Sequence, residues 1–278
     1  MHMTTWFITG ISRGLGFALA EAALARGDTV IGTTRGAQPA LTAGPGTLHV
    51  LALDMADGAE IAARVEAAFA IGRIDVIVNN AGYGLLGAIE TATDEEAARL
   101  FDVDVFGPFR LIRAAMPHLR AQGSGHILNI TSIAGRAPGP GCALYAAAKY
   151  ALEGLSAALV HEVAPFGIKV TAVAPGAFRT DFLSAHSIRK SEPEDAAYSA
   201  SIGRASAAFA AADGQQLGDP GRAAQALLHL VDADHPPLHL LLGSDALRRA
   251  REKLDAVIDE VDRWEPVTRS TDFTTAAD

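Results

Sequence analysis

Tyr145 and Lys149 are the residues whose types and spacing most directly indicate chemistry. They lie four positions apart in an Ala-rich stretch of helical period, so both side chains project from one face of the same helix. A nearby ammonium group favours the ionised form of a phenol, by roughly 1 to 3 pKa units when the site is partly desolvated. The pair could then exchange a proton with a carbonyl or alcohol oxygen near neutral pH. A Tyr-x-x-x-Lys pair on a surface helix also arises by chance, so the surrounding sequence must decide whether this pair is catalytic.

Ser132 supplies a third polar group for the same site. It follows Asn129-Ile130-Thr131 at the end of an apolar run, thirteen positions before Tyr145. Open α/β sheets bind ligands at the carboxyl ends of their strands, so we expect Ser132 to reach the Tyr145 site. Our hypothesis is that its hydroxyl group hydrogen-bonds the substrate oxygen while Tyr145 transfers the proton.

The elements that must position these groups are short apolar runs alternating with longer stretches of helical period. This alternation is typical of helices that connect parallel strands, and continuous apolar runs indicate strands buried on both faces. The predicted fold is an α/β, Rossmann-type, doubly wound domain with a seven-stranded parallel sheet flanked by helices. The predicted strands are Trp6–Ile8, Thr29–Gly32, Leu48–Leu53, Asp75–Val78, His126–Ile130, Lys169–Ala174 and Leu238–Leu242. The predicted helices are Gly16–Arg26, Gly58–Ala70, Asp94–Gln122, Leu144–Ala164 and Pro220–Val231.

The domain organisation follows from where this alternation stops. Residues 1–243 are expected to form one dinucleotide-binding catalytic domain. Within it, residues 179–218 are rich in Ser, Ala, Asp and Gly, and a connection of this length is typical of a substrate lid or a mobile loop. Residues 244–278 are predicted to be a C-terminal helical extension, charged and helical to about Glu265, followed by a frayed tail.

A glycine-rich loop follows the first predicted strand and precedes the first predicted helix. Glycines let such a turn tighten and let backbone N–H groups approach a pyrophosphate, while the helix N-terminus contributes partial positive charge. The alternative is a strand-to-helix turn with incidental glycines, which the position after the first strand disfavours. The candidate cofactor-binding residues in this loop are Gly10, Ser12, Arg13, Gly14, Leu15 and Gly16.

Composition excludes several classes of partner. The chain carries 32 acidic and 23 basic residues, a formal charge of −9, and no Lys/Arg block, which argues against nucleic acid. No apolar run approaches the roughly 20 residues that a membrane helix needs. The nine histidines show no metal-ligand spacing, so no metal is expected. With one cysteine, Cys142, and a start that lacks a signal-peptide leader, a cytoplasmic location is expected.

The spacing of the glycines, read with the preceding Thr9, resembles the Thr-Gly-x-x-x-Gly-x-Gly motif of the short-chain dehydrogenases/reductases. Further matches follow in the family's order over about two thirds of the chain: Asn79-Asn80-Ala81-Gly82, Ser132, Tyr145-x-x-x-Lys149 and Pro175-Gly176. The resemblance implies an oxidoreductase that transfers a hydride between a nicotinamide cofactor and a small carbonyl or alcohol substrate. It also implies a homodimer or homotetramer, with interfaces on the helices Asp94–Gln122 and Leu144–Ala164.

The resemblance further implies which residues contact the cofactor. After the second strand the chain reads Thr33-Thr34-Arg35 without an acid, and with Arg13 this arrangement implies NADP(H) in preference to NAD(H). The alternative is that both arginines are merely solvated. The other implied contacts are Asp54 and Met55 at the adenine, Asn80, Ala81 and Gly82 under the adenosine ribose, Tyr145 and Lys149 at the nicotinamide ribose, and Pro175, Gly176 and Thr180 at the nicotinamide.

Asp104 departs from the family pattern, because relatives commonly carry Asn at this place and that Asn positions a water leading protons to the lysine. An ionised Asp only accepts hydrogen bonds, whereas the amide both donates and accepts. Its charge should stabilise the ammonium of Lys149 and, if close, oppose ionisation of Tyr145. Asp104 is therefore either an acidic member of a proton relay or a tolerated change.

Two further functions stay open at this point. One is a cofactor-binding sensor or regulator that has kept the fold without efficient turnover; the complete Ser132, Tyr145 and Lys149 set argues against it. The other is a sugar-nucleotide epimerase or dehydratase, but that longer branch of the family usually carries a different glycine spacing.

The sequence does not identify the substrate. An apolar pocket and ordinary core packing explain the apolar residues near the expected site equally well; these are Leu85, Leu86, Phe178, Phe182 and Leu183.

Overall fold

The computed structural model describes residues 3–36, 38–184, 187–192 and 196–273. One parallel sheet of seven strands forms its centre. Its strands are β1 (Thr5–Ile8), β2 (Thr29–Thr34), β3 (Thr47–Ala52), β4 (Val76–Asn79), β6 (Gly125–Ile130), β7 (Ile168–Pro175) and β9 (His239–Leu242). They lie in the order β3-β2-β1-β4-β6-β7-β9, which confirms the predicted seven-stranded Rossmann-type sheet.

Helices cover both faces of this sheet. Successive side chains of β1 point to opposite faces of the sheet. Trp6 and Ile8 pack on the face covered by α1 (Gly14–Arg26) and α7 (Pro220–Asp232), and Phe7 packs on the face covered by α2 (Gly58–Ile71) and α4 (Gly107–Gln122). All three are fully buried, so the strand reads as a continuous apolar run. The α-helices in the described part are α1 (Gly14–Arg26), α2 (Gly58–Ile71), α3 (Asp94–Phe101), α4 (Gly107–Gln122), α5 (Ala143–Val163), α6 (Arg204–Ala211), α7 (Pro220–Asp232) and α8 (Ser244–Arg269).

The prediction of one continuous helix over Asp94–Gln122 is wrong. A π-helical turn over Asp102–Phe106 separates α3 from α4. The wider turn shifts the phase of the side chains and brings the buried Asp104 towards α5. Short π-helical turns of this kind are frequent at functional sites. An apolar period cannot reveal such a turn, because the apolar residues continue on both sides of it.

The segment predicted as a lid, residues 179–218, is more ordered in the described part than an irregular loop. It contains a 3₁₀ turn at Asp181–Leu183, a short strand β8 (Ile188–Lys190) and α6. Strand β8 pairs in parallel with β5 (Gly84–Leu86), which follows β4. The sequence prediction missed both strands, since three residues are too few to show a period. The pairing ties this segment to the body of the domain.

Helix α8 has two differently packed parts. Ala246 and Ala250 in its first turns are buried against Ile133 and Ala137. From Leu254 onwards every described residue of the helix is exposed. No helix within residues 3–36, 38–184, 187–192 and 196–273 combines the length and the apolarity needed to cross a membrane.

His126 in β6 makes the stability of the fold depend on pH. Burial, assisted by the charge of Lys169, lowers the pKa of this histidine from 6.5 to about 4. The unfolded chain therefore binds the proton more tightly than the folded chain. Above pH 6.5 both states are unprotonated at His126, and the free energy of unfolding is undiminished. As the pH falls from 6.5 towards 4, protonation of the unfolded chain lowers the free energy of unfolding by roughly 3 kcal/mol in total.

We expect the free energy of unfolding of the wild type, measured by urea titration, to fall by an amount of this order between neutral pH and pH 4. A His126→Gln variant keeps a polar partner for the Thr171 hydroxyl, which lies 2.9 Å from His126 Nε2, but does not titrate. Its unfolding free energy should fall less steeply over the same range. Equal slopes for the two proteins would contradict the assignment to His126.

Candidate active site

A cavity of about 580 Å³ lies at the carboxyl edge of the sheet. It runs from the glycine loop, past the ends of β2, β4 and β6, to residues 179–218, the segment predicted as a lid. Of the sequence-predicted site residues, Gly16 and Asp104 do not line it: Gly16 lies beneath Asn80, and Asp104 lies behind Lys149. The predicted residues that do line it are Gly10, Ser12, Arg13, Gly14, Leu15, Thr34, Arg35, Asp54, Met55, Asn80, Ala81, Gly82, Ser132, Tyr145, Lys149, Pro175, Gly176 and Thr180.

The glycine loop is shaped by its contacts with the turn after β4. The side-chain amide of Asn80 donates to the carbonyl oxygens of Thr9 and Gly10, at 2.9 and 3.0 Å. A Cβ atom on Gly16 would lie 2.3 Å from that amide nitrogen, so only glycine fits there. Gly10 has a φ of +75°, and a Cβ atom on it would lie 3.1 Å from the Cα atom of Ala81. The Asn80 side chain therefore holds the loop, which was not foreseen from the motif.

The N-terminus of α1 points into the cavity without a side-chain cap. Its N-cap residue, Arg13, makes no capping hydrogen bond, whereas Asp57 caps α2 and Asp219 caps α7. Uncapped N–H groups at a helix N-terminus attract anions, because the helix dipole adds partial positive charge there. The loop, the uncapped helix and the cavity beside them fit a dinucleotide, and the N-terminus of α1 would hold its pyrophosphate.

Charged side chains gather at the far end of the cavity, beside the ends of β2 and β3. Arg35 is exposed there, and Arg99 from α3 pairs with Asp54 at 2.9 Å. Burial raises the pKa of Asp54, but the Ala56 N–H together with Arg99 and Arg35 outweighs it and lowers the pKa overall. The sequence prediction missed Arg99, because it lies in a helix 45 positions from Asp54 and no local motif marks it.

Lys149 lies at the centre of a buried polar cluster. Its ammonium group lies 3.0 Å from Asp104 Oδ2 and 3.3 Å from the carbonyl oxygen of Ile130, to which it donates. The other oxygen of Asp104 accepts from the backbone N–H of Tyr83 at 3.1 Å. A Cβ atom on Gly82 would come within 2.9 Å of the Asp104 carboxylate, so this glycine makes room for it. Asp104 is thereby held on the side of Lys149 away from the cavity.

Opposing effects act on the ionisation of this buried pair. Burial is the largest effect on Lys149 and lowers its pKa, but the Asp104 carboxylate and Tyr145 outweigh burial and raise it. Burial also raises the pKa of Asp104, against the attraction of Lys149. The Asp104 carboxylate therefore keeps Lys149 protonated in a place where an isolated ammonium would lose its proton.

Tyr145 extends from the same face of α5 towards the cavity. The Lys149 ammonium lies 5.7 Å from the centre of its ring, and its hydroxyl group lies within hydrogen-bonding reach of Ser132. Ser132 stands at the end of β6, where its hydroxyl oxygen accepts from the N–H of Ala134. The turn that follows Ser132 packs closely on α5, since a Cβ atom on Gly135 would lie 2.8 Å from the backbone of Lys149.

The pKa of Tyr145 differs from the sequence prediction. Lys149 was expected to bring it towards neutral pH, and that expectation is wrong for the net pKa. Burial is the largest effect and raises the pKa; Lys149 and Ser132 lower it, and Asp104 raises it again. The phenol is therefore held in its protonated form. The prediction failed because the extent of burial depends on residues far apart in the sequence.

The remaining wall of the cavity is largely apolar and belongs to residues 179–218. The ring of Phe182 lies 6.1 Å from that of Tyr145, and Leu183 and Phe209 line the same region. Of the two leucines for which an apolar pocket and core packing were equally open, Leu86 lines this cavity and Leu85 is buried in the core.

Helix α8 also contributes to the cavity, through Asp245 and Arg249. The Asp245 carboxylate accepts from the N–H of Ala177 at 2.9 Å, and Arg249 donates to the carbonyl oxygen of Ala137. A Cβ atom on Gly176 would collide with Asp245, at 2.3 Å. Neither residue was foreseen, because the charged C-terminal stretch carries no motif that links it to the site.

Similarity to known proteins agrees with this arrangement. Residues 4–191 match the short chain dehydrogenase family. An oxidoreductase named BOA17 from Botryotinia fuckeliana (strain B05.10) is 36% identical over 266 residues, which cover 93% of this chain and 96% of that protein. A solved short-chain dehydrogenase from Streptomyces avermitilis is 42% identical with a TM-score of 0.90, covering 98% of this chain and 100% of that chain.

A solved structure with a bound cofactor is less similar in sequence and structure. A metagenomic short-chain oxidoreductase in complex with NADP is 27% identical with a TM-score of 0.65, covering 86% of this chain and 96% of that chain. The family match extends from β1 to the end of β8 and so includes the glycine loop, Ser132, Tyr145 and Lys149. The chain accordingly belongs to the short-chain dehydrogenase/reductase family and is an NAD(P)-dependent oxidoreductase.

Proposed function

We propose that this oxidoreductase interconverts a carbonyl compound and an alcohol with NADP(H), and that Tyr145 transfers the proton. The observation that supports this most directly is the cluster of Ser132, Tyr145 and Lys149 in the wall of the cavity that also contains the glycine loop. A bound nicotinamide supplies or accepts the hydride. The protein's own groups must then orient the substrate oxygen and move a proton to or from it.

In this proposal Ser132 and Tyr145 hold the substrate oxygen between them. The raised pKa keeps Tyr145 protonated, which is the form that can donate to a carbonyl oxygen as negative charge develops on it. Lys149 stabilises the phenolate that remains after the proton has left, and its ammonium would also bind the nicotinamide ribose. The protonated phenol is the form that carbonyl reduction requires of the proton donor.

Asp104 acts through Lys149 in this proposal. It does not line the cavity, and its two oxygens are occupied by the Lys149 ammonium and the Tyr83 N–H. We therefore assign it a positioning role: it keeps Lys149 charged and fixes its place. Part of the ammonium's attraction for a phenolate is neutralised by this carboxylate, which is consistent with the raised pKa of Tyr145.

The preference for NADP(H) rests on the charges at the far end of the cavity. Arg35 is exposed at the end of β2, Arg13 lies in the glycine loop, and no acid occupies the position after β2 that would bind a ribose hydroxyl. A guanidinium group binds a phosphate through charge-assisted hydrogen bonds worth roughly 1.5 to 3 kcal/mol. NADP(H) carries a phosphate on the 2′ position of its adenosine ribose, where NAD(H) carries a hydroxyl group.

We expect an Arg35→Ala variant to bind NADPH about tenfold or more weakly, with NADH affinity changed less than about twofold, because 1.4 kcal/mol corresponds to a factor of ten. Fluorescence titration of each reduced cofactor gives both dissociation constants. Arg222→Ala, which removes the same charge from a side chain that is 91% exposed and outside the cavity, is the matched control. Equal weakening of both cofactors, or tighter binding of NADH by the wild type, would contradict the preference.

The alternative function is a cofactor-binding sensor or regulator of the same fold. A sensor binds NADPH without oxidising it, so a screen of apolar ketones with cofactor consumption as readout separates the two functions. The apolar residues of the lid segment make ketones with bulky or extended apolar groups the first choice for that screen.

A further inference from the structure

The projecting part of α8 carries an apolar face that nothing in the described residues covers. Beyond the turns packed on the body, its large apolar side chains are between 38 and 61% exposed. This part of the helix, residues 254–269, is only about four turns long, and such a helix is marginal in water without a packing partner. The exposed apolar residues are Leu254, Val257, Ile258, Val261, Trp264 and Val267.

These residues follow the spacing of a coiled-coil seam. Counting from Leu247, which is 41% exposed, apolar residues recur at alternating intervals of three and four through Trp264. This is the a/d pattern by which two helices pack along each other. The exposed residues of this pattern are Leu247, Leu254, Val257, Val261 and Trp264, whereas Ala250 fits the spacing but is buried against the body of the domain. We call this stripe the α8 seam.

The charges on α8 are separated along its length. Residues 247–253 contain four basic residues and one acidic residue, whereas residues 254–265 contain five acidic residues and one basic residue. A parallel pair of identical helices would place like charges together. An antiparallel pair places the basic half of each helix against the acidic half of the other, which favours association.

We propose that α8 pairs with α8 of a second copy of this chain, antiparallel and along the α8 seam. With Leu254 opposite the partner's Val257, Leu247 lies opposite the partner's Trp264. In this register Lys253 lies near the partner's Glu260, and Arg251 lies near the partner's Asp262. The interface is separate from the faces of α4 and α5 that the family resemblance implies, and it does not depend on the proposed substrate or cofactor preference.

The pairing would also brace the active site. The turns of α8 that precede the projecting part carry Asp245, which holds the Ala177 N–H, and Arg249, which donates to the Ala137 carbonyl. The α8 seam begins within these same turns, at Leu247. A partner helix would therefore fix the part of α8 that closes the cavity.

The first test is the mass of the full chain in solution, measured by sedimentation equilibrium. The Leu254→Glu/Val261→Glu variant places two acids in the α8 seam. We expect it to have half the wild-type mass, at protein concentrations where the wild type is fully associated. The matched control is Arg263→Glu, which makes the same change in net charge on the opposite face of the helix and should keep the wild-type mass. An unchanged mass for the double variant would overturn the proposal.

The second test gives the orientation of the helices by disulfide trapping. Equal amounts of a Leu247→Cys and a Trp264→Cys variant are mixed and oxidised, with the parent chain, whose Cys142 is buried, as control. Antiparallel pairing gives a disulfide between the two different variants. Disulfides within each variant alone would indicate parallel helices and overturn the proposal. Binding of a monomeric wild type to vesicles of anionic lipid would also overturn it, by assigning the seam to a membrane surface.

Discussion

A Tyr145→Phe variant is expected to bind NADPH as the wild type does and to turn over ketone about 10² to 10⁴ times more slowly, the range typical for loss of a general acid. The substitution removes only the hydroxyl oxygen and leaves the ring that packs near Phe182 and Lys149. Cofactor affinity comes from titration, and kcat comes from the rate of NADPH consumption. The two measurements separate proton transfer from binding.

The neighbouring tyrosine of α5 provides the matched control for this prediction. Tyr150 donates its hydroxyl hydrogen to the carbonyl oxygen of Arg136, is 44% exposed and does not line the cavity. A Tyr150→Phe variant removes the same atom and should keep kcat within about twofold of the wild type. Its free energy of unfolding should fall by roughly 1 kcal/mol, because one hydrogen bond is lost. If Tyr145→Phe and Tyr150→Phe had similar turnover, Tyr145 would not be the proton donor.

A Lys149→Met variant is expected to lose both stability and activity. It leaves the Asp104 carboxylate buried without its cation, and breaking a buried pair in this way typically costs about 3 to 5 kcal/mol of unfolding free energy. The missing cation raises the pKa of Asp104 further. The loss of stability should therefore be largest at neutral and alkaline pH and should diminish as the pH falls and Asp104 becomes protonated. Urea titration across pH measures this.

A double variant separates the two effects. Replacing Asp104 with Leu in the Lys149→Met background removes both charges, and replacing a buried pair by apolar residues is often nearly neutral for stability. We expect Lys149→Met/Asp104→Leu to recover most of the unfolding free energy while its kcat stays at least about 10² below that of the wild type. Recovery of activity together with stability would show that Lys149 has only a structural role.

The sequence predicted the central sheet because buried parallel strands are continuous apolar runs, whatever the rest of the chain does. The glycine loop was also predictable, because its glycines meet a local steric requirement: a Cβ atom on Gly16 would lie 2.3 Å from the carbonyl oxygen of Gly10. The helical spacing of Tyr145 and Lys149 likewise follows from local geometry. These features depend on residues that are close together in the sequence.

The parts that could not be predicted depend on contacts between distant residues. Arg99 reaches Asp54 from another element, and Asp245 reaches the Ala177 N–H from 68 positions away. The π-helical turn that presents Asp104 lies inside an uninterrupted apolar pattern. The raised pKa of Tyr145 reflects burial by several elements at once. None of these has a local signature in the sequence.

Transfer of a labelled hydride tests the proposed reaction most directly. The wild type is incubated with a panel of apolar ketones and NADPH that carries deuterium at both positions of the nicotinamide C4, and the products are analysed by mass spectrometry. We expect at least one ketone to yield an alcohol that carries deuterium on its carbinol carbon, and we expect the Tyr145→Phe variant to yield far less of it. Wild-type protein that binds the labelled cofactor but transfers no deuterium to any ketone would contradict the proposed function and favour a sensor.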